Sequence, residues 1–133
     1  MSPCSIRGLT GDVRCGIVRV PENRRTPGGR QLDLFIVLAR ATGPRPAPDP
    51  FMLLAGGPGQ AGSEMGDVAT AAFGRVRETR DLVLIDTRGT GRSHALTCAL
   101  STTNEDLAGP TMYPAHRVRA CRDSLSQIAD LTQ

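Results

Sequence analysis

Two glycine clusters hold the residues whose types and spacing could do chemistry. The first is Gly56-Gly57-Pro58-Gly59-Gln60-Ala61-Gly62 and the second is Asp86-Thr87-Arg88-Gly89-Thr90-Gly91-Arg92-Ser93. Three chemistries compete for them. Residues 57–62 fit G-x-G-x-x-G, the turn that cradles a pyrophosphate, and Asp86 stands about where a ribose-binding acid belongs. Pro58 counts against this, because it removes an N–H from the turn that has to donate. Gly91-Arg92-Ser93 imitates the end of a nucleotide P-loop. There, however, Asp86 replaces the required glycine, and all 16 cationic residues are arginine, so no Walker lysine exists. The third chemistry is oxyanion stabilisation. Glycines let a backbone N–H approach a developing alkoxide with no side chain in the way. Gly57 is then the candidate donor, and Gly56, Pro58 and Gly59 shape the turn. The bland alternative is that both clusters are only tight turns between sheet and helix.

The elements around the clusters must hold them in place. Phe51-Met52-Leu53-Leu54-Ala55 and Asp81-Leu82-Val83-Leu84-Ile85-Asp86 are unbroken apolar runs of strand length. Between them Met65, Val68, Ala69, Ala72, Phe73 and Val76 recur at helical spacing, after Ser63 as an N-cap. Arg75, Arg77 and Arg80 crowd the end of that helix, where cations suit the dipole. Strand, glycine turn, helix, strand is a βαβ unit over residues 51–93. Continuous apolar strands are expected to be buried on both faces, as in a parallel sheet. Both clusters then fall at carboxyl ends of parallel strands, where such sheets collect ligands.

Upstream, Val13 to Val20 and Gln31 to Ala41 read as strands of an antiparallel hairpin, hairpin 13–41, joined through Pro27-Gly28-Gly29. Leu32, Leu34, Ile36 and Leu38 are expected on one face, and Gly16 marks a bulge. A proline-rich stretch, residues 43–50, leads to the central unit. Downstream, a loop with Cys98, Asn104, Gly109 and Pro110 precedes a helix opening at Pro114. Val118, Cys121, Leu125 and Ile128 share one side of that helix, which is expected to run almost to Gln133.

Leu54-Ala55-Gly56-Gly57-Pro58-Gly59-Gln60 followed by Asp86-Thr87-Arg88-Gly89-Thr90-Gly91-Arg92-Ser93 resembles the proline iminopeptidase and tripeptidyl aminopeptidase family of α/β-hydrolases. The paired signatures are G-G-P-G after one strand and D-x-R-G-x-G-x-S after the next, here Asp86, Arg88, Gly89, Gly91 and Ser93. The resemblance implies an α/β fold, the N-terminal portion of an α/β-hydrolase sheet, with an antiparallel hairpin, then βαβ, then a helix. Residues 1–133 are then one incomplete core domain, ending in a loop and helix over 94–132. It also implies a serine exopeptidase that releases N-terminal residues or short peptides, with Gly57 in its oxyanion turn. Ala55 and Thr87 depart from the histidine and glutamine usual in that family, which leaves peptide specificity open.

In that family the nucleophile lies on a G-x-S-x-G elbow, with the acid and histidine later. No such string occurs in the 133 residues. Gly91-Arg92-Ser93-His94-Ala95 lacks the final glycine, and Ser93 and His94, being adjacent, point apart. His116 reads as a surface residue. The chain alone is therefore expected to be silent, with a peptide or small acyl substrate turned over only when a further C-terminal portion completes the site. The competing function is a small Rossmann-like dinucleotide-binding or purely structural module.

Four cysteines, Cys4, Cys15, Cys98 and Cys121, include no C-x-x-C pair, and with only two histidines no metal site is expected. The resemblance supports disulfides Cys4–Cys15 and Cys98–Cys121, and with them an exported or extracellular setting. Four reduced thiols in the cytoplasm are the alternative. The opening residues lack the layout of a signal peptide. A formal charge of +3 comes from scattered arginines with three Phe, one Tyr and no Trp, which gives no nucleic-acid stripe. No apolar run is long enough to span a membrane. No cofactor is expected.

Overall fold

Apolar alternation in the first half of the chain builds a sheet. The computed structural model describes residues 1–98 and 114–132. Strands β1 (Ser2–Pro3), β2 (Val13–Pro21), β3 (Gln31–Ala39), β4 (Phe51–Leu53) and β5 (Leu82–Ile85) form one sheet in the order β1-β2-β3-β5-β4. A 3₁₀ turn (Gly62–Met65) leads into α1 (Gly66–Thr79), between β4 and β5 in the chain; α2 (Ala115–Leu125) lies near the C-terminal end. By contacts the chain divides into one unit of Met1–Pro21 and Gln31–Ala95 and a second of Glu22–Arg30 with the described residues from Leu96 onward.

The expected architecture, the N-terminal portion of an α/β-hydrolase parallel sheet, is corrected. Pairings β1–β2, β2–β3 and β3–β5 are antiparallel, and only β4–β5 is parallel. Two α-helices occur among the described residues, so the repeating βαβ arrangement of that fold does not form. The expectation rested on continuous apolar runs, taken as strands buried on both faces. Instead β4 has three residues and lies at one end of the sheet, with Met52 48% and Leu54 66% exposed. Its apolar run is the flank of an end strand in a sheet that is mostly antiparallel.

The pairing of β2 with β3 runs unbroken from Val13↔Ala39 to Pro21↔Gln31. Gly16 sits opposite Ile36 without a bulge, and its role is a close approach, since a Cβ there would meet the Met1 side chain. On β3 the face of Phe35, Val37 and Ala39 is buried; on the face of Leu32, Leu34, Ile36 and Leu38 only Leu32 is buried, the other three being half-buried. The former packs with Ile6, Leu9, Val13, Ala69, Leu82 and Leu84 into the core of the first unit. The loop bearing Ile6 and Leu9 is fixed by the Cys4–Cys15 disulfide, with Cα atoms 5.7 Å apart.

Ser63 does not cap α1; Met65 precedes it and no side chain caps it. Of the anticipated stripe, Ala69 is buried, Met65, Phe73 and Val76 are half-buried, and Val68 and Ala72 are exposed. Non-helical torsions at Phe73 (φ −124°) kink the helix, and the Phe73 ring packs 5.1 Å from that of Phe51. Arg77 is buried rather than solvated at the helix end. Its guanidinium donates to the carbonyls of Thr10 (2.7 Å) and Arg40 (3.2 Å), joining the N-terminal loop to the end of β3.

Arg19 and Asp33 face each other across β2 and β3, 2.8 Å apart and exposed. The hydrogen bond from Arg19 holds the Asp33 carboxyl below its ordinary range. Because the folded value is depressed, the pair's contribution is present above the unfolded carboxyl range and is lost as pH falls through the lowered value. Urea unfolding of Arg19→Gln should therefore show a small deficit at neutral pH that closes in acid.

In the second unit, residues 22–30 fold through turn bonds from Thr26 N–H to Asn23 O (3.1 Å) and Gly29 N–H to Thr26 O (2.8 Å). Asp130 N–H donates to Glu22 Oε1 at 3.0 Å. Helix α2 contains no fully buried residue among the described ones; on its apolar side Cys121 and Leu125 are half-buried while Val118 and Ile128 are exposed. The helix stops at Leu125 and a turn follows. A second disulfide joins Cys98 and Cys121, with Cα atoms 5.8 Å apart. The loop expected at Asn104, Gly109 and Pro110 lies outside the described residues, as does Gln133.

Candidate functional site

Because β4 and β5 run parallel, both glycine clusters emerge from the same end of the sheet. Asp86, directly after β5, is 0% exposed. Its Oδ1 accepts the Ser63 N–H at 2.7 Å, while Oδ2 accepts the Ser63 hydroxyl at 3.1 Å and the Arg92 N–H at 2.9 Å. One carboxylate thus clamps the segment after the first glycine turn to the end of the second. Two glycines make the clamp possible. Gly91 has φ +47°, and a Cβ on it would collide with Asp86 Oδ2 and with the Ala61 Cβ. A Cβ on Gly62 would collide with the Ile85 carbonyl.

Ser93 is also 0% exposed, and its Oγ accepts the Phe35 N–H at 2.8 Å. Asp86 N–H donates to Phe35 O at 3.0 Å. The Ser93 hydroxyl therefore satisfies β3 just past the end of β5, where the ladder has run out. Within the loop, Gly89 N–H reaches Ser93 O at 2.9 Å and Ser93 N–H reaches Thr90 O at 2.8 Å. Arg88 is half-buried. Asp86, Gly89, Gly91 and Ser93 thus hold the loop together. Ser93→Ala should strand the Phe35 N–H and cost about 1–3 kcal/mol, the usual cost of a buried donor left unpaired. Equilibrium denaturation measures it, and a loss below about 0.5 kcal/mol would show that the bond is dispensable.

The first turn, residues 56–60, is exposed. Gly57 has φ +127° and Gly59 φ +91°, and the Gly57–Pro58 peptide is cis. A Cβ on Gly57 would lie 3.1 Å from the amide nitrogens of both Gly59 and Gln60. The space left by the missing side chain is therefore flanked by two backbone amides. Sequence reasoning named Gly57 as donor and placed Gly59 in the turn; it gave Gln60 no role.

The remaining candidates separate. His94 (φ +54°) accepts the Asp33 N–H on Nε2 at 3.2 Å, so it does not serve Ser93. His116 is exposed on α2. Among the described residues no three His, Cys, Asp or Glu side chains gather, and no helix is long and apolar enough to cross a membrane. The two disulfides fit an oxidising compartment. Comparison with known proteins found no matching family model and no matching curated protein.

Proposed function

We propose that the Gly56–Gln60 turn is an oxyanion-stabilising turn of a serine exopeptidase-type hydrolase acting on peptides or small acyl compounds outside the reducing cytoplasm. The reading rests on the two signatures and on the loops, not on the sheet. The observation that carries it is the clamp at Asp86, which fixes the segment following the turn. The exposed amides of Gly59 and Gln60 then border a space that only glycine at position 57 leaves open. Preorganised backbone donors of this kind act where negative charge develops.

A donor needs a nucleophile, a base and an orienting acid beside it. No G-x-S-x-G string is present, Ser93 is sealed, and the His94 imidazole is engaged by the Asp33 N–H. The chain by itself is therefore expected to give no turnover of aminoacyl or tripeptidyl chromogenic substrates and no fluorophosphonate labelling. Stoichiometric labelling mapped to one serine would overturn this. The turn is tested directly by amide NMR titration with methylphosphonate, a tetrahedral oxyanion. Shifts should centre on Gly57, Gly59 and Gln60 and vanish in Gly57→Val; a response elsewhere, or none, counts against the turn. In an assembly that supplies the nucleophile, Gly57→Val should lower kcat about 100-fold, the usual size of an oxyanion-donor loss.

The dinucleotide alternative is weakened by the same clamp. Both Asp86 oxygens are taken by Ser63 and Arg92, which leaves the ribose-binding role without its acid. Calorimetric binding of NAD at micromolar concentration, lost in Asp86→Asn of confirmed fold, would restore it.

A further inference from the structure

One side of the sheet is only half covered. β1 pairs with β2 at Arg14 and Cys15, through Pro3 and Ser2. Met1 then leaves the ladder and lies over Gly16, its Cα 3.6 Å from where a Cβ would stand. Beyond it Ile17 is 55% and Val18 47% exposed, and Arg19 is exposed as well. Successive residues of a strand point to opposite faces, so three exposed in a row leave both faces bare at this edge. The ladder says which main-chain groups are free. Val13 O accepts the Cys4 N–H at 3.1 Å on the β1 side, and Asp12 O accepts the Arg40 N–H at 2.9 Å on the β3 side. Main-chain groups alternate sides along a strand, so Ile17 and Arg19 aim N–H and C=O outward, while Val18 spends its own on Leu34 of β3. The outward groups of Ile17 and Arg19 have no partner among the described residues.

Edges of this kind are ordinarily protected by charge, proline or a bulge. Here Arg19 carries the one charge of residues 17–20, and Asp33 holds it at 2.8 Å. Proline comes only at Pro21, and the pairing with β3 has no bulge. Free groups at two positions, two residues apart, make the stretch complementary to itself. Turned antiparallel about Val18, Ile17 of each copy meets Arg19 of the other, and every outward N–H and C=O finds a partner. The Val18 side chains then meet across the two-fold, with Cα atoms about 4.5 Å apart. Each Arg19 stem covers the Ile17 of the other copy. Other registers fail. Centred on Arg19, the two arginines stand opposite each other and Ile17 meets Pro21, which cannot donate. Centred on Ile17, Arg19 meets Cys15, which β1 already covers. A shift of half a step sets free groups against spent ones.

We infer that a second copy of this chain docks on the open edge of β2, the two strands pairing antiparallel about Val18. So short an overlap buries less than the about 1,200 Å² of a lasting interface, which sets Kd at roughly 0.1–1 mM. Sedimentation of the whole oxidised chain up to about 2 mM tests it, with amide exchange at both ends of the range. Exchange should slow with concentration at Ile17 and Arg19 and stay unchanged at Val18. Ile17→Pro removes only an outward N–H, which an edge strand tolerates, and should weaken association at least about tenfold. Val18→Asp and Val18→Lys each set like charges at the two-fold and should be monomeric, whereas their mixture should associate at least as well as the parent. A parent chain that stays monomeric at about 2 mM overturns the inference, whatever else the edge accepts. So does association that the variants leave within threefold of the parent, a mixture no better than its components, or slowed exchange centred on other residues. If Ile17→Pro is unstable, the charged pair decides. Gly57→Val should leave the association unchanged, so this inference and the oxyanion reading fail separately.

Discussion

Asp86→Ala should lower the stability of the sheet unit by about 2–4 kcal/mol, a large part of the about 5–15 kcal/mol a folded domain has. The substitution strands the Ser63 N–H, the Ser63 hydroxyl and the Arg92 N–H around a residue that is 0% exposed. A fully buried donor left unpaired costs about 1–3 kcal/mol; these three are part-buried, so water recovers some of that, and the hydroxyl recovers more by rotating. Asp86→Asn keeps one acceptor oxygen and sets an NH₂ against the other donors, so it should fall between alanine and the parent. Urea denaturation followed by amide exchange gives the test. Losses should centre on residues 61–63 and 91–93 before the rest of the sheet. A deficit under about 1 kcal/mol for alanine would show that water replaces the carboxylate and that the two turns are not clamped.

Removing the Cys4–Cys15 disulfide, as Cys4→Ala with Cys15→Ala, should cost about 3 kcal/mol and lower Tm by roughly 10–20 °C. The bond closes a sequence separation of 11 residues and ties the loop carrying Ile6 and Leu9 to β2. Both leucine-type side chains belong to the core, so releasing the loop exposes apolar surface as well as freeing backbone. Thermal unfolding with and without reductant provides the comparison. An unchanged Tm would mean that Arg77, through its bond to Thr10 O, holds the loop without the disulfide. Loss of Cys98–Cys121 should do less to the sheet, since α2 buries no residue.

The alternating apolar pattern made β2 and β3 and their antiparallel pairing legible, because a two-residue period is local information. Which face of β3 would be buried was not legible. Past Asp33 both sets of alternate residues are apolar, and the choice falls to Ile6, Leu9 and Ala69, which are far away in sequence. The sheet type was misread for a related reason. Residues 51–55 are equally apolar in a central parallel strand and in a short strand at the end of a mixed sheet, and composition does not distinguish the two. At the site, the glycine clusters and Asp86 stood out by type. Their roles did not. Asp86 was weighed as a ribose ligand and proves to be a clamp whose partners include two backbone amides, which carry no mark in the sequence. Ser63 was read as a helix cap, and its side chain spends itself on that clamp. Arg77 was grouped with helix-end cations and is buried against two carbonyls. A side chain bonded to backbone far off in sequence leaves no spacing to find.

The strand order has a consequence for how the chain reaches its fold. β5 is the last strand of the sheet in sequence, yet it lies between β3 and β4. A chain emerging from its N-terminus can pair β1, β2 and β3 as successive neighbours. β4 follows, but its neighbour in the sheet is not made until residue 85 arrives. Until then β4 has nothing to pair with, and the clamp at Asp86 does not yet exist. The first glycine turn is therefore held only after the second has been synthesised. Non-local closure of this kind is slower than hairpin closure, because the loop entropy is lost before the contacts form. The sheet closes by insertion at β5, and the presentation of the Gly56–Gln60 turn is among the last things the chain acquires.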